Sequence, residues 1–121
     1  MKKVLIIEDD IFLLDLEAAK IKKNGYDVLV AQTGVDGMKK ITEEGVGIIL
    51  LDLLLPNFDG FEILKKIREG ETTKKIPVIV FSNLSESKDI EKAISLGATK
   101  FMVKSNFSLE ELIEEIGKFI L

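Results

Sequence analysis

Apolar positions along this chain fall into two alternating rhythms. Val4-Leu5-Ile6-Ile7, Ile48-Ile49-Leu50-Leu51 and Val78-Ile79-Val80-Phe81 are apolar without interruption, the pattern of strands buried on both faces of a sheet. Tyr26-Asp27-Val28-Leu29-Val30 and Thr99-Lys100-Phe101-Met102-Val103-Lys104 carry charges within or beside them, as edge strands do. Between these runs apolar residues recur at helical spacing. The clearest case is Leu109, Leu112, Ile113, Ile116, Phe119 and Ile120, behind a capping box of Ser108 and Glu111. Gly25 and Gly97 each close a helical stretch, as glycines just past a helix end do. The spacing predicts strands near 3–8, 26–31, 46–51, 76–81 and 99–103, and helices near 11–24, 34–44, 59–69, 85–96 and 108–120.

Five strand-helix units in succession predict a parallel five-stranded sheet with helices on both faces, an α/β fold of (βα)5 type. Right-handed crossovers and two charged edge strands give a doubly wound order of 2-1-3-4-5. The order reverses between strands one and three, and such sheets bind ligands in that crevice, beyond the carboxyl ends of the strands.

Composition narrows the chemistry by exclusion. At 121 residues the chain is expected to form a single domain over 1–121. It has no cysteine, which removes disulfides and thiolate chemistry. It has no histidine, which removes His-ligated zinc, Ser-His triads and a phosphohistidine on this chain. The net charge is −4 and the 17 basic residues are scattered, so direct nucleic-acid binding is not expected. Met1-Lys2-Lys3 precedes only four apolar residues, and no run approaches membrane-spanning length, so a cytoplasmic protein without membrane association is expected. Acids crowd the last helix at Glu110, Glu111, Glu114 and Glu115 with no arginine among them, which favours a monomer over a symmetric dimer through that face.

Glu8 and Asp9 follow the first strand and Asp52 follows the third, so three carboxylates meet at the predicted crevice. Gathered there they repel one another unless a cation neutralises them, and an oxygen-only set suits Mg²⁺ better than zinc. A lone acid at a strand end usually just starts a loop or caps a helix. Three at two neighbouring strand ends point to a hard divalent metal. Ser82, after the fourth strand, and Lys104, after the fifth, bring a hydroxyl and an ammonium to the same rim. That combination suits a phosphoryl group held jointly with the metal.

The chain resembles the receiver domain of two-component response regulators over essentially its whole length. The resemblance rests on Glu8-Asp9-Asp10, on Leu51-Asp52-Leu53-Leu54-Leu55-Pro56-Asn57-Phe58-Asp59-Gly60, on Phe81-Ser82 and on Phe101-Met102-Val103-Lys104. It implies a flavodoxin-like fold and a phosphorylation-controlled signalling switch. By the resemblance, Asp52 accepts a phosphoryl group from a sensor histidine kinase or phosphotransfer protein, with Mg²⁺ as cofactor. Asp9 and Asp52 would bind the ion directly, the backbone carbonyl of Leu54 would add a ligand, and Glu8 would act through a bound water. Lys104 would pair with the phosphoryl and Ser82 would hydrogen-bond to it. Phe101 would then turn inward and alter the face of helix four, strand five and helix five that a downstream protein target reads. The domain would catalyse its own phosphorylation and dephosphorylation rather than act on an external metabolite. Asp10 is read as a helix N-cap.

Some positions depart from the family pattern. Ser105 follows Lys104 where the family usually has proline, often in a cis bond, so a trans bond and a displaced or looser loop are expected. Asn83 follows Ser82 where a smaller residue is commoner. Leu54 and Leu84 hold the two positions that govern hydrolytic water in the family, so a long-lived phosphorylated state is expected. Helix one has more apolar residues than one buried stripe needs, and Phe12 is expected to be exposed at its kinase-docking end. Two other readings stand beside the switch. One is an Mg-dependent phosphatase with an aspartate nucleophile, whose second acid would fall at Leu54. The other is a non-signalling or engineered scaffold that retains the fold.

Overall fold

The uninterrupted apolar runs become the centre of one parallel sheet in the computed structural model, which describes residues 2–43 and 45–120. Its strands are β1 (Lys3–Ile7), β2 (Asp27–Ala31), β3 (Val46–Leu51), β4 (Val78–Ser82) and β5 (Lys100–Val103), in the order β2-β1-β3-β4-β5. This is the expected 2-1-3-4-5 order, with the charged runs at the two edges. The helices are α1 (Ile11–Lys23), α2 (Gly34–Lys40), α3 (Gly60–Glu69), α4 (Ser87–Ser95) and α5 (Leu109–Phe119).

Side chains alternate across the strands and so build two cores. Leu5, Ile7, Ile49, Leu51, Val78 and Val80 face one way, against Ile63, Leu64 and Ile67 of α3 and Ala93 of α4. Val4, Ile6, Ile48, Leu50, Ile79, Phe81 and Met102 face the other, against Leu14 and Ile21 of α1 and Leu112 and Ile116 of α5. Every one of these residues is buried. A fully buried aliphatic side chain of this size stabilises by roughly 1.5–3 kcal/mol, so the central strands hold most of the hydrophobic driving force.

Local signals set the helix ends. Asp10 caps α1 by accepting from the Phe12 and Leu13 amides, and Ser108 and Glu111 form the capping box of α5. Gly25 and Gly97 have φ of 94° and 108°, a left-handed conformation that glycine adopts without a Cβ clash.

The structure moves several expected boundaries. α2 stops at Lys40 rather than at residue 44, where the Thr42 hydroxyl donates to the Lys39 carbonyl; Glu44 itself lies outside the described residues. β4 starts two residues later than expected and runs through Ser82, so that serine is the last strand residue rather than the first loop residue. An unexpected hairpin pairs Leu54–Leu55 with Phe58–Asp59 between β3 and α3, turning at Asn57 with φ 59°. Two-residue strands are too short to show a period in sequence. No cis peptide bond occurs among the described residues, so Lys104-Ser105 is trans as expected. β5 passes directly into a single 3₁₀ turn, Lys104–Asn106. Phe12 is 81% exposed, as expected, with Ile11 and Leu16 exposed beside it. No helix among the described residues is long and apolar enough to cross a membrane.

Candidate functional site

Parallel pairing of β1 with β3 places Ile7 opposite Leu51, so the residues just beyond them, Glu8 and Asp52, emerge side by side at the carboxyl rim. The Asp52 amide donates to the Ile7 carbonyl at 3.0 Å, which extends the ladder to the acid itself. β4 adds Ser82 on one side of Asp52, and the end of β5 adds Lys104.

Asp52 is held by three donors. The Ser82 hydroxyl donates to its Oδ1 at 2.8 Å and the Leu54 amide donates to the same oxygen at 3.0 Å. Lys104 Nζ lies 2.7 Å from Oδ2 and 2.5 Å from Glu8 Oε1, so one ammonium bridges two carboxylates. The Asp10 amide donates to Glu8 Oε2 at 3.1 Å. Ser82, Glu8 and Asp52 are buried, whereas Asp9 is exposed.

Burial dominates the electrostatics. It pushes the Glu8 carboxyl up to about 7, with repulsion from Asp52 adding to the rise and hydrogen bonds from Lys104 and the Asp10 amide opposing it. Burial acts to lower Lys104, but hydrogen bonds to Asp52 and Glu8 outweigh it and hold the ammonium above its usual range. Two carboxylates on one ammonium leave negative charge in a region of low dielectric. Glu8, Asp9 and Asp52 each offer an oxygen within 4.8 Å of one another. An all-oxygen set with one solvent-facing member fits a hard divalent cation such as Mg²⁺, which keeps part of its water shell.

All five expected site residues meet here: Glu8, Asp9, Asp52, Ser82 and Lys104. Phe101 stands on β5 opposite Val80, half-buried and packed against the α3–α4 core. Leu54 is 49% exposed beside Asp52, and Leu84 is half-buried with its amide 3.4 Å from Ser82 Oγ. The Leu54 amide as an anchor of Asp52 was not anticipated from sequence. Its signal was present, because an aspartate commonly accepts from the amide two residues on.

The family model for the response regulator receiver domain matches residues 4–117. This chain belongs to that family. The receiver domain is 35% identical over 116 residues to response regulator ArlR of Staphylococcus saprophyticus, covering 96% of this chain and 51% of ArlR. It is 33% identical over 116 residues to RpaA of Synechocystis, described as a DNA-binding dual master transcriptional regulator, covering 96% of this chain and 48% of RpaA. The chain thus spans about half the length of these relatives. Among solved structures, the receiver domain of Francisella response regulator 1452 superposes with a TM-score of 0.88 at 28% identity, covering 98% of this chain and 96% of that one. A CheY-like receiver domain from Methanospirillum hungatei superposes with 0.90 at 26% identity, covering 98% and 92%. Receiver domains are phosphoacceptor regulators, and the acidic cluster of this one is compatible with the metal site typical of them.

Proposed function

We propose that this receiver domain takes a phosphoryl group onto Asp52 from the phosphohistidine of a sensor kinase or phosphotransfer protein, in a reaction that needs Mg²⁺. The observation that carries the reading is the convergence of Ser82 and Lys104 on the two oxygens of one buried carboxylate, from strands on the same side of the crevice. A carboxylate is a weak nucleophile, so positioning and neutralisation of charge do most of the work.

In the transfer, an Asp52 oxygen attacks phosphorus, the new P–O bond forms, the P–N bond breaks, and its electron pair returns to the donor imidazole. Asp9 and Asp52 would hold Mg²⁺ directly, Glu8 through water, and the Leu54 carbonyl would complete the protein's share. When bound there, Mg²⁺ would supply neutralisation of the acids and of the phosphoryl oxygens. Lys104 exchanges a carboxylate oxygen for a phosphoryl oxygen, and Ser82 turns its hydroxyl to the same group. Those shifts pull on the end of β4 and free space beside Phe101, which changes the α4-β5-α5 face for a downstream protein. The exposed Ile11, Phe12 and Leu16 at the site end of α1 offer the kinase an apolar landing surface. The phosphatase alternative lacks support at Leu54, whose side chain has no proton to give.

Intact mass after incubation with a small phosphodonor and Mg²⁺ tests the assignment. Wild type should gain one phosphoryl group and Asp52→Asn none; labelling of Asp52→Asn, or full labelling in excess chelator, would overturn it.

A further inference from the structure

α1 buries Leu14, Glu17 and Ile21, at helical spacing, so a carboxylate takes the middle place in the helix's buried stripe. Glu17 is 2% exposed, and its Oε1 has no hydrogen-bond partner. It faces Ile21 of its own helix and Leu109, Leu112 and Ile113 of α5, in a cleft between the two helices too narrow to hold a water molecule. Lys20 lines the same cleft but sends its ammonium across the seam to the Glu110 carboxylate of α5. The phosphoacceptor chemistry has no use for Glu17, so a role for this carboxylate is independent of that reading.

We propose that Glu17 is a proton-operated latch on the α1–α5 seam: as the neutral acid it lets the seam close, and once ionised it draws Lys20 from Glu110 onto itself. Lys20 lies three residues along the same helix, within reach of Glu17. The Lys20–Glu110 pair is solvent-exposed at both ends, and such pairs contribute little. A buried carboxylate with an empty acceptor has far more to gain from an ammonium. Ionisation therefore trades a bridge between helices for one within α1.

The surroundings favour the neutral form. Glu8 at the end of β1, Asp52 at the end of β3 and Asp10 at the start of α1 repel a charge on Glu17, and Lys104 after β5 attracts it. On α5, Glu110 is already engaged by Lys20. Burial first, and then Glu8, push the Glu17 carboxyl from the ordinary 4.5 up to about 8. The folded chain then holds more protons than the unfolded chain between those values. Its stability falls as pH rises through that window and levels off above it.

The full chain, kept free of divalent metal, is labelled with ¹³C at glutamate carboxyls, and Glu17 is followed by NMR as pH rises. Its carbon should titrate near 8, with the Glu110 carbon moving in step as Lys20 leaves. Lys20→Met should raise the Glu17 midpoint by about half a unit or more, because the charged form loses its partner. Urea unfolding at matched pH should show Glu17→Gln, and Glu17→Leu, without the part of the pH-dependent stability loss that wild type shows. A Glu17 midpoint in the ordinary carboxylate range, an unmoved midpoint in Lys20→Met, or identical pH profiles of wild type and both Glu17 variants would overturn the latch.

Discussion

Beyond the carboxyl ends of the strands, Glu8 and Asp52 share the ammonium of Lys104; beyond the opposite ends, the Arg68 guanidinium is ringed by neutral acceptors. Arg68 Nε donates to the Gly97 carbonyl at 2.9 Å, Nη1 to the carbonyls of Ile76 at 2.7 Å and Lys74 at 3.3 Å, and Nη2 to the Thr99 hydroxyl at 3.3 Å. Thr99 in turn accepts from the Val78 amide, and buried Thr73 donates to the Ile67 carbonyl. The amino rim therefore matches one cation to oriented dipoles. The carboxyl rim keeps surplus negative charge that no side chain in it neutralises. A satisfied polar network rigidifies a fold, whereas surplus buried charge is costly until something neutralises it. On the proposed function, the same sheet devotes one end to stability and the other to chemistry.

That division can be broken most sharply at the two central residues. Asp52→Asn should abolish phosphoryl uptake, read by intact mass, while leaving the urea unfolding midpoint at or above that of wild type, because one buried like charge is gone. Arg68→Met should do the reverse. It removes charge-assisted hydrogen bonds to two chain segments and should cost about 3 kcal/mol in urea unfolding, with uptake at saturating donor retained. Loss of uptake in Arg68→Met at a temperature where it is folded would show that the amino rim also serves the chemistry.

Mg²⁺ sharpens the comparison, since it should act on one rim alone. At about a hundredfold excess over its dissociation constant, the ion should raise stability by about 2.7 kcal/mol in wild type and equally in Arg68→Met. Asp9→Asn should lose most of that increment. An equal increment in Asp9→Asn would remove the exposed acid from the metal site.

The smallest effect concerns how long the chemical rim stays modified. On the proposed function, Leu54 beside Asp52 and Leu84 near Ser82 would flank the phosphoryl group with side chains that cannot hydrogen-bond to an attacking water. Leu54→Asn combined with Leu84→Glu should shorten the lifetime of the phosphorylated form about tenfold, a barrier change of about 1.4 kcal/mol. Equal or slower decay under matched Mg²⁺ would show that the leucines do not shield the group.

Strand order, the helix caps at Asp10 and Ser108, and the meeting of Glu8, Asp9 and Asp52 at one crevice were legible in the sequence. Each depends on local spacing or on crossover handedness, so a short stretch of chain carries the information. Ser82 was legible as a rim residue, but its hydrogen bond to Asp52 spans thirty positions and exists because β4 lies beside β3. Arg68 gave no sign, since three of its partners are backbone carbonyls, which every residue has, and the fourth is a threonine hydroxyl 31 positions away. α1 shows the division best. Its apolar residues run almost all round the helix, and periodicity alone could not say that Phe12 and Leu16 would face out while Glu17 turned inward. The docking of α1 against β1 and α5 made that choice, because burial is a property of the surface a helix meets and not of the helix itself.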